Sequence, residues 1–372
     1  MKQQKIRGIG LALVAGLWAA LVLFAWFGPR SDISDAERRP LAQMPEVKVD
    51  AILNGSFMAD FEDFTLDQFP LRDTFRTVKS LFHYNVLNQS DNNDIYIADG
   101  AAVKLEYPMN QTSVDHAVNR FNHLWQKYFK GTGSKAFMAI VPDKGYYLAR
   151  PNGYPAMDYA AMTESFAQGM PWATQIDLTA HLTADDYYLT DTHWRQEKLL
   201  EAAGAICGAL GVSAPQAQDF TVTALERPFY GVYYGQAALP MDPETMYLLE
   251  SPLLAACTVY DWESGRTLEV YDRTKLDSKD LYDVFLSGAR SLLTIENPSA
   301  STDRELIVFR DSFGSSMVPL LVQDYKTVTL IDTRYIAPDL IKDYVNFTDQ
   351  DVLFLYSALI LNSSRSLLQE TK

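Results

Sequence analysis

The sequence predicts an α/β protein on a mainly parallel sheet, carried behind an amino-terminal apolar helix. Two observations predict it. In the last third of the chain the apolar runs ELIVF (305–309), TVTLID (327–332) and DVLFLY (351–356) alternate with SFGSSMVPLLVQDY (312–325) and APDLIKDYV (337–345). The runs are mostly apolar along their length, so they read as strands buried on both faces, with the intervening segments as helices covering a parallel sheet. At the other end, no charged residue occurs from 8 to 28. At about 1.5 Å per residue that stretch matches a hydrocarbon core of roughly 30 Å.

The elements follow in order. MKQQKIR places Lys2, Lys5 and Arg7 before the apolar stretch, and Trp26 and Phe27 stand where an interfacial aromatic belt would lie. The apolar run is longer than a secretory signal core, so residues 1–30 read as a cytoplasmic tip and an uncleaved anchor, with Arg30 onward outside. Residues 31–50 read as a polar juxtamembrane linker, and 51–372 as one extracellular domain. Residues 51–85 show amphipathic helical spacing broken at DQFPLRD, where Pro70 ends or bends the helix. Residues 114–131 form a helix stopped by Gly131, with His116 and His123 on one face but no third ligand for a metal. FMAIVPDK is a buried strand stopped by Pro142. Residues 220–280 are aromatic and turn-rich. They read as an insertion over the sheet edge, with FYGVYYG and LEVYD as short strands whose tyrosines pack in the core or at the edge.

Composition narrows the function. With 48% hydrophobic residues in 372, the chain can bury a large core, and a net charge of −15 argues against nucleic acid as the main partner. The two cysteines, Cys207 and Cys257, suit an exported protein that does not depend on disulfides; one bridge and two buried free thiols are both open.

Two segments carry chemistry. Ser312 follows the strand ELIVF, at the carboxyl end of a parallel strand where ligands of open sheets bind. Backbone N–H groups of the following helix start would be near it as donors to an oxyanion. Asp311, Ser312 and Ser315 also read as ordinary helix caps. In YYLTDTHWRQE (187–197), Asp191 and His193 are placed to let a carboxylate hold one imidazole nitrogen while the other takes a proton from a serine; Thr190, Asp191 and Thr192 equally fit a cap for the helix that ends at Gly211.

TDTHW resembles the D-x-H-W signature of the alginate O-acetyltransferase group and the related bacterial DHHW proteins, permuted relatives of the SGNH hydrolases. AERRPLAQMPE, LDQFPLRD, IYIADGAAVKLEYP, IVPDKGYYL, YDVFLSG, FRDSFGSSMVPLL and LIDTRY resemble further family blocks in family order. The resemblance implies an SGNH-like three-layer α/β/α fold with Ser312 as nucleophile, His193 as general base and Asp191 as its orienting partner. It implies no metal or organic cofactor. The reaction it implies is transfer of an acetyl group onto a secreted or cell-surface polysaccharide, delivered across the membrane by a membrane-bound O-acyltransferase. An acetyl esterase and a non-catalytic glycan-binding protein are the alternatives. Two positions depart from the family: Thr192, where many DHHW proteins carry a second histidine, and Ala289 in FLSGAR, where an asparagine would help hold the oxyanion. Arg290 is the candidate substitute. Arg334 in IDTRY, on the same sheet edge as Ser312, is placed to hold an anionic sugar or the oxyanion, or to pair with Asp332 or Asp311. Trp194 is expected to pack under the histidine, with sugar stacking as its other role.

Overall fold

The computed structural model describes residues 2–34 and 36–368. The side chains of residues 2–6, which include Lys2 and Lys5 of the expected basic tip, and the expected limits at Met1 and Lys372 lie outside the described residues. The chain forms two compact units, residues 1–93 with 234–240, and residues 94–233 with 241–372. This division differs from the expected single domain beginning at residue 51. The expected linker is part of the first unit: Arg39 donates two hydrogen bonds to Asp67 (2.8 and 2.7 Å), and Gln68 Nε2 donates to Ser31 O and Ala42 O.

The first unit is helical. Helix α1 (Lys2–Phe27) contains one stretch, Arg7–Phe27, that is long and apolar enough to cross a membrane. Three helices follow, α2 (Val49–Leu53), α3 (Ser56–Asp67) and α4 (Arg72–Asn85). The break at Pro70 falls between α3 and α4, as its missing N–H requires. The Trp26 ring lies 6.2 Å from that of Phe61, and the Arg30 guanidinium lies 5.0 Å from the centre of the Phe64 ring.

The second unit holds an eight-stranded sheet. In chain order its elements are α5 (Gln111–Leu124), β1 (Lys135–Val141), α6 (Tyr159–Gly169), β2 (Ala173–Ile176), α7 (Leu200–Leu210), β3 (Thr258–Asp261), β4 (Arg266–Leu268), β5 (Leu292–Glu296), β6 (Glu305–Arg310), α8 (Gly314–Met317), β7 (Thr327–Ile331) and β8 (Asp351–Ser357). The spatial order is β4-β3-β5-β7-β6-β8-β1-β2. Strands β7, β6, β8, β1 and β2 are parallel, while β5, β3 and β4 extend the sheet antiparallel beyond β7. Along each central strand alternate residues feed opposite cores. Leu306, Val308, Leu353 and Leu355 pack with α7, whereas Ile307, Phe309, Val352 and Phe354 pack with α5 and α6. Each such side chain, fully buried, contributes about 1.5–3 kcal/mol. Both faces being covered explains why these strands read as unbroken apolar runs, and the expected α/β/α class holds.

Several expected elements differ. The helix expected over 312–325 is only α8 and a 3-10 turn, Val318–Leu321, because Pro319 cannot donate the next helical bond. Residues 337–345 likewise make a 3-10 turn, Pro338–Asp343. The insertion does not simply lie over the edge. It makes a separate strand pair, Thr221–Ala224 with Tyr247–Glu250, and then supplies β3 and β4 to the sheet itself. FYGVYYG is not a strand but a loop entering a helix at Val232–Ala237, and in LEVYD only Leu268 is in a strand. Cys207 and Cys257 are buried free thiols, pushed by burial to about 12 and about 11. His116 Nδ1 is hydrogen-bonded with Ser364 Oγ (2.9 Å).

Candidate active site

The carboxyl ends of β6, β8 and β1 share one edge of the parallel sheet, and the chain leaves β6 into Asp311 and Ser312. Asp311 is fully buried and ties this turn down: Oδ1 accepts from Phe313 N (3.0 Å) and Oδ2 from Ser357 N (2.8 Å), at the end of β8. Gly314 makes the turn sterically possible. A Cβ there would lie 2.8 Å from Cβ of Arg310, whose side chain runs beneath. Arg310 is itself buried; its Nη1 donates to Ser315 Oγ (3.2 Å) and lies 3.8 Å from Asp332, and burial pushes its pKa below the usual arginine value.

The segment 187–194 is no helix start; α7 begins only at Leu200. Instead Tyr187 and Trp194 face each other in an antiparallel bridge, and Tyr188 N donates to His193 O, so the residues between them form a tight loop. Three groups hold that loop from outside it. The Glu244 carboxylate accepts from Leu189 N, Thr190 N and Thr190 Oγ1, each at 2.8 Å. Lys144, buried behind Pro142, donates to Tyr188 O (2.8 Å) and Leu189 O (3.1 Å). Gly231 N donates to Thr190 Oγ1 (3.0 Å), and any Cβ at Gly231 would stand 2.3 Å from Thr190 backbone atoms. Burial lowers the Lys144 ammonium to about 7, against the opposing pull of Asp191, Glu244 and Asp143.

This loop brings Asp191, His193 and Ser312 together. Asp191 Oδ1 accepts from His193 N (3.0 Å) and lies 2.6 Å from Nδ1, while Oδ2 accepts from Val232 N (2.7 Å). His193 Nε2 is 2.8 Å from Ser312 Oγ. Asp191 is fully buried, His193 nearly so, and Ser312 partly open. With the Nδ1 proton directed at the carboxylate, Nε2 is left to accept from the serine hydroxyl, the arrangement that makes a serine nucleophilic. The imidazole is stacked on Tyr282 (3.9 Å, 11°) and flanked by Phe313. Tyr282 OH and Trp194 Nε1 both meet Ser316 Oγ, at 2.7 and 2.9 Å.

The other sequence candidates make contacts other than with the relay. Trp194 is fully buried, its indole N–H bonded to Ser316 and Phe313 O, so it offers no face to a sugar, and the ring under His193 is Tyr282. Arg334 is committed to Asp332 through two bonds (2.9 and 2.6 Å), the salt-bridge alternative. Arg290 faces Asp261 (3.5 Å) and Glu263 (3.9 Å). Ala289 is exposed, just after three residues with left-handed backbones, Leu286, Ser287 and Gly288. Among the described residues no cluster of three or more His, Cys, Asp or Glu could hold a metal ion.

Sequence reasoning missed Glu244, Lys144, Tyr282 and the Val232 N–H. Lys144 and Tyr282 sit inside the quoted blocks IVPDKGYYL and YDVFLSG, which signalled likeness but no role. Glu244 lies 53 residues beyond Asp191 and carried no signal at all.

The family model described as DHHW protein matches residues 173–331. The fold is similar to that of a DHHW family protein from Eubacterium siraeum, with 21% identity and a TM-score of 0.61, over 76% of this chain and 98% of that one. It is also similar to Bacillus cereus PatB1 with a sulfonyl adduct, at 18% identity and a TM-score of 0.59, over 72% of this chain and 95% of that one. A search of curated proteins found no significant match. Residues 173–331 thus match the DHHW family model, within a three-layer α/β/α fold similar to those of the two solved structures.

Proposed function

We propose that this protein is a serine acyltransferase that places acetyl groups on hydroxyls of a secreted or cell-surface polysaccharide. The observation that carries the reading is the relay from Asp191 through His193 to Ser312, at 2.6 and 2.8 Å. In the first half-reaction Ser312 Oγ attacks the acetyl carbonyl as its proton moves to His193 Nε2, and that proton then goes to the leaving group. In the second, a sugar hydroxyl gives its proton to Nε2 and attacks the acetyl-serine; the sugar ester leaves and Ser312 takes the proton back. Asp191 holds the tautomer and offsets the imidazolium charge, and Tyr282 keeps the ring in plane. The resemblance of the D-x-H-W segment to alginate O-acetyltransferases supports acetyl as the group carried. The sulfonyl adduct in the PatB1 structure supports a reactive nucleophile in this fold.

The apolar helix α1 would anchor the protein with its amino end in the cytoplasm and the rest outside. A membrane-bound O-acyltransferase is then the fitting source of acetyl groups. The test is a burst of nitrophenol from an activated acetyl ester, with mass spectrometry of the trapped protein. One acetyl group on Ser312 is expected, and release of that group onto added glycan faster than onto water. Turnover without an acetyl-serine would overturn the reading, and release onto water alone would make the protein an esterase.

A further inference from the structure

Helix α4 is amphipathic the wrong way round for a protein in water. A surface helix normally turns its apolar stripe to the core and its polar face to solvent. Leu71, Phe75, Val78, Phe82 and Val86 recur at steps of three and four, so they share one face of α4 and its two flanking residues, and they are 48–68% exposed. The opposite face carries Arg72, Arg76, Ser80 and His83, which are buried or half-buried. Arg72, Arg76 and Ser80 are satisfied within their own unit. Arg72 and Arg76 pair with Glu37, and Ser80 Oγ donates to Ala237 O. The inversion is therefore held in place from inside, and the outward stripe is left facing an environment that must itself be apolar.

The same unit indicates which environment that is. Trp26, at the end of the membrane-length stretch, touches Phe61 of α3, and Arg30 sits over Phe64. Helix α3 is thus packed on the foot of the apolar helix, and only residues 68–71 separate it from α4. We propose that α4 lies in the outer membrane interface as a monotopic helix, with the stripe from Leu71 to Val86 dipped into the acyl boundary and Lys79 at its edge toward the headgroups. The unit is then held by two lipid contacts, the span and this helix, which fixes its orientation to the bilayer as a single span does not. The inference rests on the membrane anchoring proposed above.

The test uses the full chain in nanodiscs of phosphatidylcholine and phosphatidylglycerol containing spin-labelled lipid. Fluorophores go on single introduced cysteines, Leu17→Cys in the span, Val78→Cys and Phe82→Cys on the stripe, and Asp73→Cys on the other side of α4; the native cysteines are buried. Quenching at 17, 78 and 82 several-fold stronger than at 73 is expected. Quenching at 17 with 78 and 82 no stronger than 73 overturns the interfacial helix but leaves the anchor. An unquenched label at 17 removes the anchor and the inference with it. Disulfide crosslinking between copies through residue 78 overturns lipid as the occupant in favour of a second copy.

Discussion

Each unit of this protein contains a polar network drawn into its interior, and the two networks end differently. In the second unit, Glu244 and Lys144 hold the 188–190 backbone, which positions Asp191, then His193, then Ser312. That chain finishes on a partly open hydroxyl. In the first unit, Glu37 pairs with Arg72 (2.5 Å) and Arg76 (3.2 Å), Arg76 donates to Gly235 O, and Asn92 donates to Ser80 Oγ and Ala237 O. That network closes on itself and turns an apolar stripe of α4 outward. Burying polar groups has similar costs in both places. What it supports differs: a hydroxyl held 2.8 Å from an imidazole nitrogen in one unit, an orientation of apolar surface in the other.

The comparison predicts that damage to the first-described network appears in rate and damage to the second in stability. Ser312→Ala and His193→Ala should each lower acyl-transfer rate by about 10⁴–10⁶-fold, with the double variant little worse than either, because the residues act as one unit. Additive losses in steady-state kinetics would break the relay assignment. Asp191→Asn should cost about 10⁴-fold through the wrong imidazole tautomer while leaving the circular dichroism spectrum unchanged. Glu244→Ala removes three bonds from the loop but no reacting group. A loss of about 10²-fold in kcat is expected from misplacement alone, and an unchanged kcat would show that Lys144 and Gly231 suffice.

The first unit should answer otherwise. Glu37→Gln leaves two half-buried guanidinium groups poorly paired, so α3 and α4 should lose about 1.5–3 kcal/mol of protection in hydrogen exchange, with acyl transfer at Ser312 unaltered. The smallest effect concerns pH. The bidentate hydrogen bond from Arg39 is the main cause holding Asp67 at about 2, below its usual 3.8. A depressed carboxylate contributes stability that is fully present above its unfolded value and is lost as pH falls through its folded one. Protection of α3 should therefore decline between pH 4 and 2, modestly because the pair is partly screened, and the decline should vanish in Asp67→Asn.

Sequence alone determined the class of the sheet, since strands buried on both faces must be apolar along their length, and Pro70, Pro142, Gly131 and Gly211 stop elements where their backbone chemistry requires. It also supplied the candidate residues, Asp191 and His193 because a short motif keeps them adjacent in the chain, and Ser312 because it follows a buried strand. Only the tertiary structure decided which reading of those residues holds geometrically. Capping and relay use the same side chains, and the choice depends on Glu244, Gly231 and Val232, which approach from 41 to 54 residues away. Trp194, Arg334 and Arg290 were readable as site residues for the same reason. A side chain's type states what it can bond, and the fold states what it does bond. Helix α4 makes the point most simply: its apolar period is plain in the sequence, but which face turns inward was set by Glu37, Gly235 and Ala237, partners that no local pattern contains.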